Sequence, residues 1–119
     1  MTLTLGAITF DCSDALRTAT FWGAALDRSL DEGSTDEFSS IGLKQPTPGV
    51  PAWLFARVPE PRQVKNRAHP DLIAPDRATE VARLVGLGAT VVAEHDEFGI
   101  QWTVLRDIED NEFCVAGAH

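Results

Sequence analysis

A chain of 119 residues, of which 44% are hydrophobic and 24% charged, has the length and composition of one globular domain. A chain of this size can bury a core without disulfide or metal staples. The formal net charge of −8 repels nucleic-acid phosphates and anionic lipid surfaces. The composition therefore argues against nucleic-acid and membrane partners and leaves small molecules as the expected class of ligand.

The first half of the chain alternates in a way that predicts strands around one helix. Ile8 and Phe10 point to one side of a first strand, and Asp14 offers a capping oxygen to a helix whose buried stripe includes Trp22. The predicted elements are a strand at 2–11, a helix at 15–26, strand-like residues at 37–43, a proline-rich turn at 45–51 and a strand at 52–58.

The strand at 52–58 has two chemically different faces. Alternation puts Leu54 and Ala56 on one side and Trp53, Phe55 and Arg57 on the other. We predict that the aliphatic side packs on the helix. The side with the two aromatic rings and the arginine is then predicted to face a ligand.

The second half repeats the same order of elements after a polar, proline-containing linker. Asp76 caps a second helix as Asp14 caps the first. The basic residues 65–67 are interpreted as a solvated loop, with guidance of an anionic ligand as the alternative. The predicted elements are a linker at 59–66, a strand at 67–74, a helix at 77–87, strands at 89–94, 100–106 and 112–116, and a turn at 107–111.

The two caps give the offset between the halves, because 76 − 14 = 62, and the same offset places His69 at the position of Ala7. The predicted fold is α+β: two βαβββ units in tandem form a cup-shaped mixed sheet with the helices on its outer face. We assign the whole chain to one domain, with unit one at about 2–58, the linker at 59–66 and unit two at about 67–117.

Three stretches resemble the glyoxalase-like domains of the vicinal oxygen chelate superfamily. They are Phe10-Asp-Cys-Ser-Asp with Phe21-Trp22, Phe55 to His69 continuing to Asp71-Leu72, and Asp107-Ile-Glu-Asp-Asn-Glu-Phe-Cys-Val115. The resemblance covers essentially the whole chain. It implies the paired βαβββ cup, a homodimer and, in many members, a divalent metal held by the first and last strands of each unit.

Carried over to this sequence, the resemblance gives an incomplete metal site. Its four positions are Ala7, one of Trp53 or Phe55, His69 and Cys114, and of these only His69 is of the usual ligand type. Glu112, two residues before Cys114, shares its side of the strand. We therefore predict no metal cofactor; a divalent ion on His69, Glu112 and Cys114 is the alternative.

The remaining candidates form a mixed aromatic and polar set, which is how small-molecule sites are built. A nucleophilic role for Cys114 would require nearby positive charge, and Glu112 on the same face opposes it. We predict His69 and Glu112 as catalytic acid–base residues, with His69 the better proton carrier. The predicted ligand-binding residues are Trp53, Phe55, Arg57, Asp71, Trp102 and Cys114.

The leading functional hypothesis is a glyoxalase-like protein that binds a small molecule in the cup between the two units, as a binder or a metal-independent enzyme. The alternatives are a metal-dependent lyase, isomerase or ring-opening dioxygenase and a pure interaction module. Cys12 and Cys114 are expected to be reduced thiols, because the chain begins with neither a basic segment nor a long apolar run. The expected location is the cytoplasm and the expected partner is a second copy of the chain.

Overall fold

A computed structural model describes residues 2–117 of the chain. Its elements in chain order are β1 (Ala7–Cys12), α1 (Ala15–Leu26), β2 (Phe38–Ile41), β3 (Ala52–Arg57), β4 (Asp71–Ala74), α2 (Arg77–Gly86), β5 (Thr90–Glu97), β6 (Ile100–Arg106) and β7 (Glu112–Gly117). They form one three-stranded and one four-stranded mixed sheet, each with a helix, which confirms the α+β class and the tandem arrangement. Neither helix is long and apolar enough to cross a membrane.

The chain divides into two compact units between Pro61 and Arg62. Unit one has the strand order β1-β3-β2, with β1 parallel and β2 antiparallel to β3. Within the described residues it therefore has one strand fewer than the βαβββ pattern. The Asp14 carboxylate accepts the Arg17 backbone N–H at 3.0 Å, and α1 begins at the predicted residue because of this cap.

The core of unit one is aromatic. Phe10 of β1 stacks on Phe55, Trp53 and Trp22, with ring centroids 5.7, 5.4 and 5.9 Å away, and Trp22 lies in α1. The predicted alternation of β3 is correct, but the prediction of which face packs on the helix was wrong. Trp53 and Phe55 face α1 because the large rings bury more apolar surface there than Leu54 and Ala56 would.

Unit two has the strand order β4-β7-β6-β5, with β4 parallel to β7 and the other neighbours antiparallel. Asp76 caps α2 as predicted, and its carboxylate accepts the Thr79 backbone N–H at 3.2 Å. Leu105, Phe113 and Val115 are fully buried. Thr103 lies on the side of α2, because the Arg77 guanidinium donates to its hydroxyl at 2.7 Å.

Two predicted strands differ from the observed ones. The strand predicted at 67–74 begins only at Asp71, so His69 precedes β4 instead of lying within it. Pro70 explains the late start, because proline has no N–H for a strand ladder. The strand predicted at 89–94 extends to Glu97, where Phe98 and Gly99, both at positive φ, turn the chain into β6.

Candidate functional site

The sheet face of unit two that points away from α2 carries most of the predicted polar candidates. Thr103 and Leu105 of β6 and Phe113 and Val115 of β7 lie towards α2, so the residues between them project from the opposite side. We call this opposite side the distal face. Its members include Asp71 and Ile73 on β4, Glu112, Cys114 and Ala116 on β7, Ile100, Trp102, Val104 and Arg106 on β6, and Ala93, His95 and Glu97 on β5.

The strand register arranges the distal face in rows across the sheet. The middle row runs from Asp71 to Cys114 to Val104. The row on one side of it pairs Ala116 with Trp102, and Trp102 with His95. The row on the other side pairs Glu112 with Arg106. Polar groups, aromatic rings and a cation therefore lie close together on this face, because neighbouring strands are about 4.8 Å apart.

His69, Asp71 and Cys114 form a compact cluster at one edge of this face. One potential ligand atom from each lies within 4.8 Å of the others, and His69 Nε2 is 3.3 Å from Asp71 Oδ1. The side chains of His69 and Asp71 are 40% and 70% exposed, whereas Cys114 is buried. The cluster thus presents an accessible imidazole, oriented by a carboxylate, above a shielded thiol.

Cys114 is poorly suited to act as a nucleophile. Burial, the negative charge of Asp71 and a hydrogen bond to Asp71 raise the pKa of the thiol from 9.0 to about 11. The positive charge of Lys65 opposes this rise, and Glu112 adds to it. At neutral pH the group is therefore a protonated thiol, which is neither a nucleophile nor a metal ligand.

Glu112 is engaged elsewhere and is not part of the compact cluster. Its Oε1 accepts from the Asn66 backbone N–H at 3.4 Å and from Arg62 Nη1 at 3.5 Å, while its own N–H donates to Asn66 Oδ1 at 3.0 Å. The carboxylate is buried beneath the segment that contains Arg62 and Asn66. The third residue beside His69 and Cys114 is therefore Asp71, where the sequence had favoured Glu112.

The donors present do not match the divalent ion that the superfamily implies. In unit one, Ala7 has no donor, and because Trp53 and Phe55 face α1, the β3 residues on the opposite face are Leu54 and Ala56, which have none either. Unit two offers one imidazole, one carboxylate and a thiol with a raised pKa. An oxygen-preferring divalent ion takes more oxygen ligands than this set offers.

Arg57, predicted to bind ligand, is occupied within unit one. Its guanidinium pairs with Asp36 at 3.4 Å and with Glu37 at 3.2 Å at the exposed end of β3. By contrast, Trp102 lies on the distal face as predicted and stacks on His95, with ring centroids 4.9 Å apart and an interplanar angle of 20°.

Sequence reasoning missed His95 and Arg106 on the distal face. Both were accessible from the pattern: Arg106 follows Trp102 and Val104 at the two-residue spacing of a strand face. His95 becomes the partner of Trp102 once the Phe98–Gly99 turn is recognised.

The family model for the glyoxalase-like domain matches residues 7–116, so the chain belongs to this family, within the vicinal oxygen chelate superfamily. Among solved structures it is similar to a glyoxalase/bleomycin resistance protein/dioxygenase family enzyme from Burkholderia phytofirmans PsJN. The TM-score is 0.78 at 15% identity, and the match covers 98% of this chain and 100% of the other.

It is also similar to a mutant of the fosfomycin resistance protein FosX from Listeria monocytogenes, complexed with Mn(II) and 1S,2S-dihydroxypropylphosphonic acid. The TM-score is 0.78 at 14% identity, with 99% of this chain and 93% of the other covered. Lactoylglutathione lyase from Agrobacterium tumefaciens gives a TM-score of 0.66 at 14% identity, with 98% and 95% covered. No curated protein matches the chain significantly. At such identities the likeness establishes the fold.

Proposed function

We propose that the protein binds a small organic molecule on the distal face of unit two, and that any chemistry there runs on His69 and Asp71 without a metal ion. The observation that carries the proposal is the placement of an exposed, carboxylate-oriented imidazole on the same face as the Trp102–His95 stack. Aromatic surface with a few convergent polar groups is the usual composition of a small-molecule site.

The geometry assigns different tasks to these side chains. Asp71 Oδ1 lies beside His69 Nε2, which fixes the orientation of the ring and leaves Nδ1 for a proton of the ligand. Trp102 offers a flat apolar surface for stacking. Cys114 fills space in the floor of the site, because its protonated thiol is buried. Glu112, proposed from sequence as a second acid–base group, positions the segment at 62–66 through its hydrogen bonds.

The metal-dependent alternative also has an observation in its favour. The potential ligand atoms of His69, Asp71 and Cys114 lie within 4.8 Å of one another, a spacing that a single ion could bridge. A lyase, isomerase or dioxygenase of the superfamily type would use such an ion to polarise substrate oxygens. We favour the metal-free function because the cluster offers only one carboxylate and one imidazole besides the thiol, fewer oxygen donors than an oxygen-preferring divalent ion takes.

The deciding experiment combines metal analysis with ligand-induced stabilisation. Metal content is measured on protein purified without added salts, and melting shifts are recorded across a metabolite panel for wild type, chelator-treated wild type and His69→Ala. Asp96→Ala, on the side of β5 opposite His95, is the matched control. We expect a shift that chelation leaves intact and His69→Ala diminishes. A stoichiometric ion whose removal abolishes the shift as completely as His69→Ala would establish the metalloprotein instead.

We further propose a cytoplasmic homodimer. Support comes from the sheet edges: β1 and β2 are the edge strands of the sheet in unit one, β4 and β5 are those in unit two, and edge strands that stay unpaired favour association. Val91 and Val92 on the edge strand β5 are both more than 40% exposed. A reducing compartment would keep the buried Cys12 and Cys114 as thiols. Light scattering at micromolar concentration should give twice the 12.9 kDa chain mass; a monomer alone would contradict the dimer.

A further inference from the structure

Arg106 has a buried donor without a partner. Its Nε is shielded from solvent and makes no hydrogen bond, and it stands alone in this respect among the side-chain nitrogen and oxygen atoms of residues 2–117. Buried polar groups in folded proteins are almost always paired, so each exception calls for an explanation, such as a water, an ion or a ligand that binds there. An unpaired Nε on a half-buried arginine is a strong exception, because the guanidinium always carries its charge.

A second half-buried arginine in unit two shows what a structural role looks like. Arg77 donates to the Thr103 hydroxyl at 2.7 Å and lies 3.7 Å from a carboxylate oxygen of Glu94. Arg106 has an obvious candidate for the same arrangement, because Glu112 is its register partner on β7. That carboxylate is instead held by Arg62 and Asn66, so Arg106 keeps its hydrogen-bonding capacity.

The charges around Arg106 leave a local positive excess in an acidic chain. Arg62 pairs with Glu112, which offsets one carboxylate with one cation. The positive charge of Lys65 acts on Cys114 in the neighbouring row, so this lysine is also close to the distal face. The other carboxylates on this face are Asp71, at the β4 edge beside His69, and Glu97, two residues beyond His95 on β5. An incoming anion would therefore meet Arg106 at the opposite end of the face from the aromatic row, with Lys65 close to Cys114 in the middle row.

The aromatic row and the cation lie on one strand. Trp102, Val104 and Arg106 occupy alternate positions of β6, so the first and last Cα atoms are about 13–14 Å apart at about 3.4 Å per residue. This separation is comparable to the length of a drug or metabolite molecule. One such molecule could contact the indole and the guanidinium together.

We propose that the ligand is an aromatic oxyanion: its carboxylate or phosphonate binds Arg106, with Lys65 nearby, and its ring lies on Trp102. The guanidinium fork suits both oxyanions, since each can accept two N–H donors. This inference rests on the proposed function and adds the charge and shape of the ligand. Its acid group is placed away from His69, so the imidazole faces the body of the ligand.

The test uses three probes that share a phenyl ring and a linker: 4-phenylbutyrate, 3-phenylpropylphosphonate and the neutral 4-phenylbutanamide. Binding to the full chain is followed by titration calorimetry and by tryptophan fluorescence. Trp22 and Trp53 are buried in unit one, so quenching by these probes reports mainly on Trp102. At least one of the two acids should bind about tenfold or more tightly than the amide, and comparison of the acids identifies the preferred oxyanion.

Substitutions of Arg106 test where the acid group of the probe binds. Arg106→Met, similar in length and uncharged, should reduce the affinity for the acid to that for the amide and leave amide binding unchanged. Arg106→Lys should retain an intermediate affinity, because it keeps the charge and loses the fork. Arg83→Met is the matched control: it removes the same charge from an exposed position on α2 and should alter neither affinity.

The possible results separate the inference from the proposed function. Equal affinity for acid and amide in wild type, or equal weakening of both by Arg106→Met, would overturn the oxyanion assignment while leaving a small-molecule site intact. Absence of binding by all three probes, together with no melting shift from any metabolite, would overturn both. The comparison of acid with amide in wild type decides the question even where a variant fails to fold.

Discussion

Replacing Asp71 with asparagine should make the Cys114 thiol easier to ionise. Burial is the main reason that its pKa rises from 9.0 to about 11, and the charge of Asp71 and its hydrogen bond to the thiol are the next. A rise of 2 pKa units lowers the thiolate fraction about a hundredfold at any pH below 9. The substitution removes the carboxylate contribution and leaves burial, so we expect roughly three- to tenfold faster alkylation at pH 8.

The assay is alkylation of the folded protein with iodoacetamide between pH 7 and 11, with Cys12 and Cys114 quantified separately by peptide mass spectrometry. Asp96→Asn is the control, because Asp96 lies on the opposite side of β5 from His95 and should leave the Cys114 profile unchanged. A Cys114 midpoint at or below 9, or identical profiles for wild type and Asp71→Asn, would refute the placement of Asp71 beside the thiol.

The same raised pKa has a consequence for stability with a definite sign. The folded value lies above the unfolded one, so the stabilisation is complete below pH 9 and is lost as the pH rises towards 11. The loss approaches about 2–3 kcal/mol if the thiol stays buried. Cys114→Ala should flatten this part of the pH–stability curve, measured by urea unfolding at fixed pH.

Three further predictions concern the scaffold. Gly23→Ala should destabilise the protein by roughly 1–3 kcal/mol in thermal unfolding, because the added Cβ would lie 2.9 Å from the Arg28 carbonyl oxygen. This clash should outweigh the better helix propensity of alanine. Equal or higher stability would contradict the packing of α1. Burial of Asp31 opposes ionisation, but its hydrogen bonds outweigh that effect and lower its pKa below 3.8. Asp31→Asn should therefore reduce the free energy of unfolding by about 1–2 kcal/mol at pH 7, and by progressively less as the pH falls through the folded pKa. A difference in denaturant unfolding that does not change with pH would argue against this prediction. Phe98→Asn should be neutral or stabilise by a few tenths of a kcal/mol, because Phe98 is almost fully exposed at a φ of 56° before Gly99, where asparagine is preferred. A lower melting temperature would count against this turn.

Local chemistry made much of the fold predictable. Asp14 and Asp76 predicted where both helices begin, because a capping carboxylate binds backbone N–H groups within one helical turn of its own position. The alternation of apolar and polar residues identified the strands, because it too is a pattern among residues close in sequence. The side chosen for Trp53 and Phe55 was wrong because alternation separates two faces without saying which one meets a helix. That choice depended on Phe10 and Trp22, which are distant in sequence.

The site was harder to predict because its groups meet across strands. Asp71 and Cys114 are neighbours only because β4 and β7 pair in parallel, a register that no local pattern encodes. Glu112 looked available in the sequence because its hydrogen bonds come from Asn66 and Arg62, more than forty residues away. Arg106 went unnoticed because an arginine in a strand is ordinary until its partners are known.

The division of the distal face among strands has a consequence for how such a protein can change. The imidazole–carboxylate pair belongs to the β4 edge, whereas Trp102, Val104 and Arg106 all belong to β6, with β7 between them. If the proposed site is correct, substitutions on β6 would alter which molecules bind without touching His69 and Asp71. On that proposal, a library confined to Trp102, Val104 and Arg106 of this seven-residue strand would explore new ligands while leaving the rest of the sheet in place.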